Sequence, residues 1–162
     1  MILMLVGECL FELVFLKSQI SSDRTAVFYR LRIRCQKIFA VPGNHDKQAR
    51  KLKEDFLWLD NLAEVSIHGQ PIVLCHYALR VWNRSNRGSW HLYGHSHGRL
   101  PEVPNSLSMD VGVDTHEFRP WHYDEIAGVM RRRSEARDGR RMLEDAVKTW
   151  SRRVDSRACG FS

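Results

Sequence analysis

Residues 38–46 read IFAVPGNHD, residues 71–77 read PIVLCHY and residues 90–98 read WHLYGHSHG. Each opens with a short apolar run of the kind that forms a buried strand, and each breaks into a polar turn carrying histidine. Open α/β sheets place their sites where strands end, so the three breaks are candidates for one shared site. His95 and His97 stand two residues apart, next to glycines. In a loop flanked by Gly94 and Gly98 both can turn toward a common point. Neutral imidazole and amide oxygen are good donors for Mn, Fe, Zn or Ni. Each segment alone also has a plain structural reading: His76 as a satisfied core histidine, Asn44-His45-Asp46 as a turn.

Outward from these segments the chain alternates. Ile2–Val6 is a short apolar run ending in Gly7, which suits a buried strand, and Leu10–Leu16 is ambiguous between helix and strand. Ser21, Ser22 and Asp23 offer N-cap oxygens for a helix to about Cys35, and Asp46 to about Leu59 has helical apolar spacing. Glu64–Ile67, a His68-Gly69 turn and Pro71–Cys75 predict a hairpin. Trp90–Tyr93 and Ser106–Val113 predict further strands. Two helices are expected, Asp124–Arg133 and Met142–Val154, separated by Gly139. Leu143, Ala146, Val147, Trp150 and Val154 form an apolar stripe on the second, expected to lie on the body. The pattern predicts an α/β or α+β layered domain.

The composition supports a packed core. The chain has 162 residues, 43% of them hydrophobic and 27% charged, which excludes disordered and collagen-like classes. The formal charge is +6, but residues 131–157 alone hold ten Arg or Lys against five Asp or Glu. Any nucleic-acid argument therefore belongs to the tail, where mixed charge and a single tryptophan favour a solvated helix instead. Cysteines 9, 35, 75 and 159 form no close pair, so reduced thiols in a cytoplasmic protein are expected. The apolar N-terminus lacks a basic flank and contains Glu8 and Glu12, which argues against a signal peptide or a membrane span.

The ordered set of GNHD at 43–46, His76 and GHSH at 94–97 closely resembles the calcineurin-like metallophosphoesterases. MDVGVD at 109–114 resembles small bacterial and phage members, and the likeness runs over about residues 2–126. It implies a four-layer αββα sandwich, with a phosphoesterase domain at 1–126 and a basic helical extension at 127–162. It further implies two divalent metals, manganese above all, with Fe, Zn, Ni or Mg as alternatives. Asn44, His76 and His95 resemble ligands of the second metal, and His97 a ligand of the first. His45 resembles the catalytic histidine and Asp46 its orienting carboxylate. Such a centre would hydrolyse a phosphomonoester or phosphodiester by metal-activated water.

The sequence departs from the family at its front. The family's opening strand ends in Asp-x-His, and no such motif precedes GNHD here. Glu8, after Gly7, aligns with the bridging aspartate and is equally readable as a structural residue. With that strand absent, the first-metal set retains His97 and Glu8, so one bound metal stands as an alternative to the family's two. Asp114-Thr115-His116 is another Asp-x-His, read mainly as a loop carboxylate and a solvated histidine. A missing strand would leave an apolar sheet edge, to be covered by a second copy of the chain. A misplaced start, an impaired enzyme and completion by another chain are all compatible with this. Arg80, Arg84 and Arg87 follow His76 in a polar loop and are candidate phosphate-binding residues. The competing function is a catalytically impaired member that binds partners through its basic tail or open edge.

Overall fold

The computed structural model describes residues 2–6, 11–15, 37–44 and 58–158, and side chains within 39–44 and 60–150. Its strands form two sheets. The first has the order β4-β3-β1-β2-β9, built from Trp58–Leu59, Lys37–Val41, Ile2–Val6, Phe11–Phe15 and Trp121–His122. β1 runs antiparallel to both β2 and β3, pairing Ile2 with Phe15 on one side and with Val41 on the other. The apolar Ile2–Val6 run therefore sits inside the sheet. The open edge expected from a missing first strand is not present there: both sides of β1 are paired, and the outer strands β4 and β9 span two residues each.

The second sheet has the order β5-β6-β7-β8: Leu62–Ile67, Gln70–Cys75, Trp90–Tyr93 and Ser108–Asp110. The hairpin at β5 and β6 forms as expected, in register from Leu62–Cys75 to Ile67–Gln70. Its turn residues His68 and Gly69 have φ of 50° and 80°. Positive φ at both central positions matches the twist of a two-residue hairpin, which glycine at the second position makes easy. β6, β7 and β8 run parallel, so their C-terminal ends share one edge. The strand expected over Ser106–Val113 is shorter, because Asp110 folds back on Gly112 and Val113–Thr115 becomes a 3-10 turn.

One core joins these parts. Val41 of the first sheet packs in the same cluster as Leu74, Leu92 and Met109 of the second and Ile126 and Met130 of the helix α1. Helix α1 runs from Tyr123 to Ala158, unbroken at Gly139, where two helices were expected. A helix-interior glycine costs only about 1 kcal/mol, which the neighbouring turns outweigh. The boundary expected at 126/127 falls inside this helix. Its first turns belong to the core, and Arg133 locks it down by donating to the Ser108 carbonyl at 2.6 Å and pairing with Glu102 at 2.6 Å.

Farther along, the expected packing of the apolar stripe on the body does not occur. Leu143, Val147 and Trp150 are 70%, 64% and 68% exposed. The helix directs its second half away from the core, so amphipathic spacing there has no apolar surface to meet. Among the described residues no helix is long and apolar enough to cross a membrane. The predicted Asp46–Leu59 helix lies outside the described residues up to 57, and Trp58–Leu59 is strand, paired with Phe39 and Ala40. The helix expected from Ser21 to Cys35 lies outside the described residues.

These contrasts predict unequal costs for two substitutions on one helix. Met130→Ala, at a fully packed position, should lower unfolding free energy by about 2–5 kcal/mol. Leu143→Ala should change it by less than about 0.5 kcal/mol. Urea denaturation of the two variants measures both.

Candidate metal centre

Three of the expected donors converge between the sheets. Asn44 follows β3, His76 follows β6 and His95 follows β7. His76 Nε2 lies 2.9 Å from Asn44 Oδ1 and 3.0 Å from His95 Nδ1. The His76 carbonyl accepts from the backbone N–H of His95 at 2.9 Å and of Gly94 at 3.2 Å, which ties the ends of β6 and β7 together. The His76 ring is buried, whereas Asn44 and His95 are exposed, so the cluster opens to solvent on one side.

Gly43 makes room for this arrangement. A Cβ at residue 43 would stand 2.7 Å from His76 Cε1 and 3.0 Å from both ring nitrogens. No side chain fits there without moving the imidazole. The rings of Tyr77 and His95 enclose it further, at centroid distances of 4.9 Å each.

The donor set fits a divalent cation. Neighbouring donors bound to one first-row ion at about 2.1 Å and near right angles stand about 3.0 Å apart. The separations of 2.9 and 3.0 Å are compatible with that value and equally with hydrogen bonds. The donor types agree, since amide oxygen and neutral imidazole nitrogen both suit a first-row divalent ion. Among the described residues no group of three or more His, Cys, Asp or Glu gathers as a metal site, and the trio here includes an amide.

His95 and His97, expected to turn to a common point, take different partners. His97 Nδ1 contacts the Asp114 carboxylate, in a loop reached from β8. His116 does not join Asp114 as a ligand pair, nor is it solvated. It stacks on Trp121 with centroids 3.8 Å apart and planes 13° from parallel. Glu8, His45 and Asp46 lie outside the described residues.

Arg80 and Arg84 border different hollows. Arg80 is exposed and lines a hollow of about 660 Å³ that Tyr93, Gly98 and Asp110 also border. Arg84 instead borders a separate hollow against β5 and β6. Arg84 and Arg87 bracket a short 3-10 turn, with Arg84 at φ 57°. Cys75 is buried and free.

A further histidine, outside the predicted donor set, has a structural role. His91 is fully buried on β7. Its Nδ1 donates to the Val73 carbonyl at 3.1 Å, and its Nε2 accepts from the Leu79 backbone N–H at 3.0 Å, with the Tyr77 carbonyl 3.2 Å from the same nitrogen. The neutral ring thus pins the loop that follows His76. Burial holds its pKa below the ordinary value of 6.5. The compact apolar run WHLY could have flagged His91 as part of a strand buried on both faces, although it could not have identified its partners.

No family model and no curated protein matches the sequence. One solved structure, the protein of unknown function AQ665 from Aquifex aeolicus, is similar with a TM-score of 0.40 and 20% identity. The match covers 56% of this chain and 60% of that one, so the chain spans less than two thirds of it. A likeness of this extent carries no argument about the site.

The packing around the two buried rings makes two substitutions informative. Gly43→Ala should displace the His76 imidazole, lowering stability by about 1–3 kcal/mol and weakening Mn²⁺ binding about tenfold. Thermal melts and equilibrium dialysis test the two effects. For His91, the folded form stays neutral while the unfolded form takes up a proton below about pH 6.5, so stability falls as pH drops through that value. His91→Gln should flatten the fall, read as the difference in Tm-against-pH slope between variant and parent.

Proposed function

We propose that the chain is a metal-dependent phosphoesterase. The observation that carries the reading is the meeting of Asn44, His76 and His95 at 2.9 and 3.0 Å. These donors come from three separate strand ends, in the sequence context that resembles the calcineurin-like metallophosphoesterases. On this reading the two sheets are the inner layers of the family's αββα sandwich, and the setting is the reducing cytoplasm, which suits a free, buried Cys75.

Asn44, His76 and His95 would hold one ion and His97, as the resemblance assigns it, would be a ligand of the other, with manganese the first choice for amide oxygen and neutral imidazoles. When bound, the ion supplies Lewis-acid neutralisation of phosphoryl charge and makes water a better nucleophile near neutral pH. Asn44 adds no charge, so the site keeps its attraction for an anionic ester. Arg80, exposed beside the turn of Gly98, is suited to a phosphate oxygen that reaches the rim. In the reaction a water oxygen forms the new P–O bond and gives up a proton to solvent, the ester P–O bond breaks, and the leaving alkoxide takes a proton. His45 is the proposed donor, with Asp46 holding its ring, as the family resemblance assigns them.

A second reading rests on a different observation. The exposed Leu143, Val147 and Trp150 on a basic helix suit an interaction protein whose catalysis is impaired. The experiment separates the two. Bis-(p-nitrophenyl) phosphate hydrolysis should rise with added Mn²⁺ and fall at least about a hundredfold in His95→Ala and His76→Ala, while hydrolysis of an unactivated alkyl phosphodiester, whose alkoxide needs a proton, should be lost in His45→Ala. Metal-independent hydrolysis, or full activity toward the alkyl phosphodiester in His45→Ala, would overturn the assigned mechanism. Absent hydrolysis with unimpaired Mn²⁺ binding would favour the interaction protein.

A further inference from the structure

We propose that Asp114 is the positioning residue for His97: it holds the ring by Nδ1 and so sets the lone pair at Nε2, the tautomer in which an imidazole ligates a metal. The inference rests on the metal-dependent reading above and assigns a residue that the sequence pattern left as a loop carboxylate.

The loop after β8 is built for this contact. Asp110 Oδ1 accepts from the Gly112 N–H at 2.9 Å, and its Oδ2 accepts from the Gly98 N–H at 3.0 Å. Asp110 thereby fastens the 110–115 loop to the turn that carries His97. Thr115 closes the loop, its hydroxyl donating to the Gly112 carbonyl at 2.6 Å. Val111 N–H donates to the Tyr93 carbonyl at 2.8 Å, which binds the loop to the end of β7 as well.

His97 itself has φ 51°, in the left-handed region that a residue with a Cβ enters at some cost. Such a conformation persists where surrounding contacts over-determine it. Here those contacts are the Asp110 bond to Gly98, next in the chain, and the Asp114 bond to the His97 ring.

The Asp114 carboxylate is committed to the interior. Its side chain is 11% exposed, against 35% for His97. Its Oδ1 is buried and accepts no hydrogen bond among the described residues. A Cβ at residue 112 would stand 2.6 Å from that oxygen and 3.1 Å from Asp110 Oδ1. Gly112 is therefore the space the carboxylate occupies. An oxygen lodged against Gly112, with its partner oxygen on Nδ1, is arranged to orient a ring. A carboxylate on the far nitrogen of a metal-binding histidine fixes the ring's orientation and tautomer. It also gives His97 a fixed anchor in a sequence without the family's opening Asp-x-His.

Ring ¹⁵N–¹H correlation spectra test this at alkaline pH without metal, with His97 assigned by its loss in His97→Gln. The wild type should show the Nδ1–H tautomer, and Asp114→Ala should shift it toward the Nε2–H form. Mn²⁺ titration should show about 10- to 100-fold weaker binding in Asp114→Ala and in Gly112→Ala, with partial recovery in Asp114→Glu. An Nε2–H ring in the wild type, or an unchanged tautomer and unchanged Mn²⁺ affinity in Asp114→Ala, overturns the proposal. A wild-type protein that shows the Nδ1–H ring but binds no Mn²⁺ overturns the metal-dependent reading instead. The Asp114–His97 pairing then stands as a structural contact, and its ligating role falls.

Discussion

The His76 ring stands where the two sheets meet, and its placement constrains the parts around it. Its carbonyl takes two backbone N–H groups from the end of β7, and its Nε2 meets Asn44 from the other sheet. A side chain at residue 43 is excluded because the ring fills that space. Displacing the ring would open a contact between the sheets and dislodge both neighbouring donors. A buried imidazole in that position must be stabilised by its partners, because burying a polar ring without them costs several kcal/mol, on the order of 2–7.

Much of the second sheet was legible in the sequence. The hairpin is encoded by apolar residues on either side of His68-Gly69, and Trp90–Tyr93 by a compact apolar run stopped by glycine. Periodicity reports what lies on one element, and it succeeded where one element decides the structure. It did less well where another element decides. The short β8 is cut off by Asp110 turning onto Gly112 and Gly98, a choice made by hydrogen bonds across a loop. The Leu10–Leu16 run, ambiguous by itself, became strand β2 over Phe11–Phe15 because β1 and β9 offered partners on both sides.

The site was legible in residue types but only partly in geometry. Asn44, His76 and His95 were grouped from motif order, and they converge. His97, which the resemblance assigns to the other metal, contacts Asp114, seventeen residues on, through Nδ1. Spacing within a loop limits where a side chain can reach, while the strand beside the loop decides which partner is there. The same limit applies to the C-terminal stripe. Spacing identified Leu143, Val147 and Trp150 as one face, and only the direction of α1 shows that the face has no body beneath it.

Two histidines from adjacent strands show how structural and chemical roles separate. His91 and His76 are both buried, and both stand near the same loop. His91 Nδ1 stands 3.1 Å from the Val73 carbonyl, and its Nε2 accepts from the Leu79 N–H at 3.0 Å with the Tyr77 carbonyl 3.2 Å away. Its three partners are all backbone groups, and burial holds the ring's pKa low. His76 Nε2 faces two side-chain atoms instead, Asn44 Oδ1 and His95 Nδ1. Amide oxygen and imidazole nitrogen are the donor types that suit a divalent cation. Burial is common to both rings, so the identity of the partner atoms carries the distinction between them.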